Sequence, residues 1–225
     1  MAPVAQAGRS AGTLYIPALG KEIKLVEWRE DDFYDTVVTG DVSAAAAAVA
    51  AGTSLEFFRD LANKNLQHTN LRTQRRIPAG SEFIMSRIGV VPNNAFGNVF
   101  ALPEDYVKHV FAATLTFKIN DRLVSEGPLY KYQSGYGVTG AAALSTAGLA
   151  LAGFGNAFGA MSIGVPSAAA APNLMVAQPV MDDDDLVATV DYKSNAWATG
   201  AVMPTAKAIG ITLSLHGFIK KPQGK

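Results

Sequence analysis

The sequence predicts an all-β protein folded as a sandwich of two antiparallel sheets, on three observations. Apolar and polar residues alternate with a period of two in several runs, above all at 108–119 and 209–216. Eight or more such short runs are separated by Gly, Pro and Asn signals, and no long amphipathic helix alternates with them. The length of 225 residues suits one large all-β domain.

Taken along the chain, residues 1–12 contain Pro3 and Arg9 but no apolar core of signal-peptide length, and they read as a flexible N-terminal arm on a protein kept in the cytosol. A single domain is expected over 13–222. Strands are predicted at 13–16, 22–28, 33–39, 54–59 and 82–91. The alanine run at 44–51 interrupts them, and its length of two turns before Gly52 predicts a helical or loop excursion.

In the 108–119 run, Phe111, Ala113, Leu115, Phe117 and Ile119 share one face, which predicts a half-buried strand. Asn120-Asp121 then supplies a turn that folds the chain back into 122–125, and Gly127-Pro128 precedes a further strand-like stretch at 129–132. Another strand is predicted at 186–192. Ile211, Leu213 and Leu215 alternate with Thr212, Ser214 and His216 in a closing core strand, with His216 on its polar face. Lys220, Lys221 and Lys225 follow, and 223–225 form the end of a basic tail.

Residues 132–181 stand apart as an apolar Ala/Gly-rich insertion, because no charged residue occurs between Lys131 and Asp182. The stretch 141–160 is long enough to span a bilayer, but each glycine would weaken a helix by about 1 kcal/mol relative to alanine. Close packing against another protein surface accounts better for small residues. Leu144, Leu149, Leu151, Phe154 and Phe158 are therefore the candidate assembly interface.

Composition excludes several kinds of chemistry. Lysine plus arginine and aspartate plus glutamate both number 19, so no global field steers the chain toward a polyanion. Cysteine is absent, which removes disulfides, thiolate metal sites and cysteine nucleophiles. Gly135, Gly137 and Gly140 mimic a dinucleotide loop, but the next acid is Asp182, too distant to hold a ribose. His68, His109 and His216 are scattered and no nucleophile elbow or paired-histidine motif occurs. No enzyme activity, cofactor, metal or small-molecule substrate is expected.

Two charged clusters remain. Lys64, Arg72, Arg75 and Arg76 lie in a stretch free of acids that reads first as a plain solvated loop, while phosphates or a neighbouring subunit's Asp182 to Asp185 would equally suit its charges. Asp182 to Asp185 read as a solvated loop, since consecutive side chains on an extended chain cannot converge on one cation. Trp197 with Tyr192 and Asp191 would be the place for a sugar site, although large rings are more often core.

Three segments together carry a family resemblance: Leu55-Glu-Phe-Phe-Arg-Asp60 with Lys64-Asn65 and His68-Thr-Asn-Leu71; FKINDRLVSEGPL from Phe117; and ITLSLHGFIKKP from Ile211. They resemble the single jelly-roll capsid proteins of tailless icosahedral bacteriophages. The resemblance implies a jelly-roll β-sandwich and a virion structural protein, a major or vertex subunit made in the host cytoplasm that self-assembles into an icosahedral shell. Its partners would be copies of itself, other capsid or vertex proteins, an internal viral membrane where one is enclosed, and the genome through nonspecific contact. A carbohydrate- or receptor-binding module of a phage particle fits the same strand pattern.

Overall fold

The computed structural model describes residues 12–16, 21–24, 26–39, 47–50, 52–93, 109–110, 112–132, 139–143, 158–162, 173–192, 202–205 and 210–220. Among them the strands are β1 (Thr13–Ile16), β2 (Lys21–Lys24), β3 (Trp28–Val38), β4 (Ala47–Ala50), β5 (Ser54–Phe57), β6 (Glu82–Asn93) and β7 (Thr114–Ile119), continuing with β8 (Arg122–Pro128), β9 (Thr139–Ala143), β10 (Phe158–Ser162), β11 (Asn173–Met181), β12 (Leu186–Asp191), β13 (Val202–Thr205) and β14 (Gly210–Lys220). Every pairing described is antiparallel.

Two four-stranded sheets form the sandwich, in the orders β11-β6-β14-β3 and β5-β12-β7-β8. The period-two alternation explains how they close on each other. Phe83, Met85, Ile88 and Val90 of β6 and Ile211, Leu213, Leu215 and Ile219 of β14 meet Leu115, Phe117 and Ile119 of β7 and Leu186, Ala188 and Val190 of β12 in one core. Phe33 and Phe83 pack edge to face with centroids 5.0 Å apart, a geometry that adds to their burial.

The inward set on β6 changes phase between Met85 and Ile88 because a bulge there inserts Ser86, so that His216 pairs with Arg87 and Gly217 with Met85. Gly217 sits where the two backbones approach closely. A Cβ at this position would lie 2.0 Å from the Ile84 carbonyl oxygen, so no other residue fits without moving a strand.

Several expectations needed correction. The alanine run is not a helical or loop excursion where it is described: Ala47–Ala50 pairs with β13. The 108–119 strand starts only at Thr114, and His109, Val110 and Ala112 are helical. Leu129–Lys131 is a 3-10 turn, its first N–H donating to Ala113 O at 2.9 Å. The insertion contains strand as well, since β9 pairs with β10, and β11 supplies an edge of the first sheet. Gly140 thus lies in a strand, with no helix following it across 139–143.

The hairpin at Asn120-Asp121 forms as predicted, with Ile119 paired to Arg122. Asn120 has φ 54°, a left-handed conformation that asparagine tolerates better than most residues.

Candidate functional site

The most elaborated polar structure among the described residues is the long connection 58–81 between β5 and β6, which is latched across one edge of the sandwich. Its anchor is Asp35. The phase of β3 puts Phe33, Asp35 and Val37 on the core side, so the carboxylate is carried inward and is 0% exposed. Lys64, 12% exposed, reaches both carboxylate oxygens at 2.8 and 2.9 Å, and the Phe58 N–H donates to Oδ2 at 2.7 Å. Burial pushes the Asp35 pKa up, while the Lys64 hydrogen bond and charge and the N–H groups of Phe58 and Thr36 pull against that shift.

Phe58 adopts φ 63°, which costs a bulky side chain on the order of 1–3 kcal/mol and persists only where its surroundings dictate it. Here they do. Its N–H is held by Asp35, its carbonyl accepts the Arg75 N–H at 2.8 Å, and its ring lies in the core. Asn63 and Arg75 are also left-handed, so this one connection contains three of the four non-glycine residues of positive φ among those described.

The same loop pairs with the outer edge of β3. Asn70 Oδ1 accepts the Tyr34 N–H at 3.0 Å and its Nδ2 donates to Asp32 O at 2.7 Å. The Thr69 hydroxyl donates to Tyr34 O at 3.0 Å, and the Tyr34 hydroxyl donates to Leu66 O. An exposed edge strand is thereby covered by its own chain.

At one end of the sandwich the loop meets two turns. The Arg75 guanidinium pairs with Glu56 of β5 and with Asp185 at 3.4 Å, and Leu186 N–H donates to Arg75 O at 2.8 Å. Asp182 Oδ2 accepts the Gly80 N–H at 2.6 Å. Asn120 donates to Asp184 Oδ1 at 2.7 Å and accepts the Asp185 N–H at 2.8 Å, while Asp184 Oδ2 accepts the Met181 N–H at 2.7 Å. The acidic run is the partly exposed turn that leads into β12, tied down by these bonds through Asp182, Asp184 and Asp185, and among the described residues no group of three His, Cys, Asp or Glu side chains is placed to hold a metal.

The candidate residues read from sequence separate accordingly. Lys64 and Arg75 spend their charge inside the chain, whereas Arg72 and Arg76 are exposed. Leu144, Leu149, Leu151 and Phe154 lie outside the described residues, and so does Trp197; Phe158 is described only as the first residue of β10, opposite Ala143. Tyr192 is buried and shares a 2.9 Å hydrogen bond with His109 Nδ1, so its ring is not a sugar platform. Burial raises the Tyr192 pKa.

His216, expected on a polar strand face at a surface or an interface, is buried within the chain, and burial together with the Arg87 charge lowers its pKa to about 4. Asp35 and Phe58 were missed as organising residues, and Asn120 was read only as part of a turn. The signal for Asp35 was legible: an acid on the same strand phase as Phe33 and Val37 must find a cation.

No protein-family model, no curated protein and no solved structure matches this chain.

Proposed function

We propose that this protein is a jelly-roll structural subunit of a virion, of the kind that forms the shell of tailless icosahedral bacteriophages, and that it works by assembling with copies of itself. One observation carries the reading. Taken in chain order, the eight sandwich strands pair first with last, β3 with β14; second with seventh, β5 with β12; third with sixth, β6 with β11; and fourth with fifth, β7 with β8. That order supports a jelly roll, a long hairpin rolled over on itself of the kind found in viral capsid and lectin domains.

Two features favour assembly over ligand binding. Two of the edge strands are poorly suited to strand addition: β11 carries Pro179 and a register shift, and β8 carries Pro128 and a bulge. Contacts between copies then fall to faces, turns and loops, which is how repeated modest interfaces build a closed shell. The latched 58–81 connection, with its left-handed residues enforced by a buried ion pair, offers such a contact in a fixed shape.

Light scattering on the purified chain, with negative-stain electron microscopy, tests the proposal. Pentamers, hexamers or closed particles are the expected species. A monomer at every concentration and salt would refute the shell reading and direct attention to glycan and receptor screens.

A further inference from the structure

The end of the sandwich where the 58–81 connection, the Asn120-Asp121 turn and the 182–185 turn converge gathers charges of both signs. Arg75, Asp182, Asp184 and Asp185 are engaged within the chain. Arg72, Arg76, Asp121 and Asp183 are exposed and make no side-chain hydrogen bond or ion pair among the described residues. Arg122, also exposed, flanks Asp121. Two apolar side chains accompany them, Leu123 and Met181, which are 51% and 44% exposed.

We propose that this end is a self-complementary contact between two copies of the chain, in which Arg72 and Arg76 of each copy face Asp121 and Asp183 of the other. The proposal rests on the self-assembly reading and deepens it. A twofold axis brings the same patch from both copies together, so a patch holding neighbouring cations and anions offers each charge its opposite. A phosphate backbone is a poorer occupant, because the carboxylates carried on the same converging turns would repel it. Leu123 and Met181 supply the apolar area that a charged rim surrounds in protein interfaces.

The backbone that carries these groups is already fixed by Asn120, Arg75 and Asp182, so little ordering remains to oppose association. Isolated exposed ion pairs contribute little, but here each one is repeated by symmetry and opposing copies are excluded when the signs match.

The test uses sedimentation velocity on the full chain, on the variant Arg72→Glu/Arg76→Glu, on the variant Asp121→Lys/Asp183→Lys, and on their equimolar mixture. Because all four side chains are exposed, both variants should melt close to the wild-type temperature, confirming that the fold survives. Each variant alone should self-associate at least about tenfold more weakly than wild type, and the mixture should associate at least as well as wild type, more strongly at low salt. Variants that assemble like wild type would overturn this contact while leaving self-assembly standing. A wild-type chain that stays monomeric would overturn both. Loss of binding to a labelled single-stranded oligonucleotide in the arginine variant, with assembly unchanged, would reassign the patch to nucleic acid and likewise overturn the contact.

Discussion

Gly217→Ala tests the central joint of the fold. The added Cβ would lie 2.0 Å from the Ile84 carbonyl oxygen, 2.8 Å from the Ile84 carbonyl carbon and 3.0 Å from the Met85 Cα. A carbon and a carbonyl oxygen approach comfortably only to about 3.3 Å, so the strands must part by more than about 1 Å. Every atom involved belongs to a backbone. β6 cannot yield by a rotamer change, and its displacement would disturb the ladder on both sides of the Ser86 bulge as well as the core packing of Met85 and Ile88.

The expected cost is about 3 kcal/mol, the upper part of the usual range for overpacking a core. Gly127→Ala is the matched control, because its nearest neighbour is the Lys131 Cδ at 3.2 Å, part of a flexible side chain. It should shift stability by less than about 0.5 kcal/mol. Urea unfolding at a fixed protein concentration reads both. With a slope of about 2 kcal/mol/M, Gly217→Ala should lower the midpoint by about 1.5 M at unchanged slope. A loss under about 1 kcal/mol would refute the argument that close strand approach selects glycine here.

Three further predictions concern the polar structure. Lys64→Met should cost about 3–5 kcal/mol by stranding the buried Asp35 carboxylate, and Asp35→Asn in the same chain should recover at least half of it in thermal unfolding, since the amide oxygen still accepts the Phe58 N–H. His216 titrates at about 4 in the fold against an ordinary 6.5, so the fold favours the neutral ring. Its contribution is complete above about pH 6.5 and is lost as pH falls toward 4, amounting to about 3 kcal/mol. The pH dependence of the urea midpoint should therefore flatten over that range in His216→Gln. Asn120→Ala should cost about 1–3 kcal/mol through its lost bonds to Asp184 and Asp185 and its left-handed φ, while Asn120→Gly, which relieves the backbone but not the bonds, should fall between it and wild type in the same assay.

The sandwich was legible from periodicity because each sheet buries one face, and a strand so placed must alternate. Leu115, Phe117 and Ile119, or Ile211, Leu213 and Leu215, announce their face without reference to anything else in the chain. The Asn120-Asp121 turn was legible for the same reason, since its conformation is set by the residues within it. Where local pattern carries no phase it misleads. An alanine run is a good helix former, yet Ala47–Ala50 pairs with β13, a partner about 150 residues further along the chain, and pairing outweighs propensity.

What the tertiary structure alone decided is which strands meet and where each charge goes. Lys64, Arg72, Arg75 and Arg76 look equivalent in sequence. The fold separates them, because β3 carries Asp35 into the core beneath Lys64 and β5 and the 182–185 turn bring Glu56 and Asp185 to Arg75. Arg72 and Arg76 remain exposed, as do Asp121 and Asp183. Period and turn chemistry are properties of neighbouring residues, so composition and order determine them directly. Pairing of distant strands and of buried charges is a property of the closed sandwich, and it exists only once chain entropy has been overcome by the core as a whole.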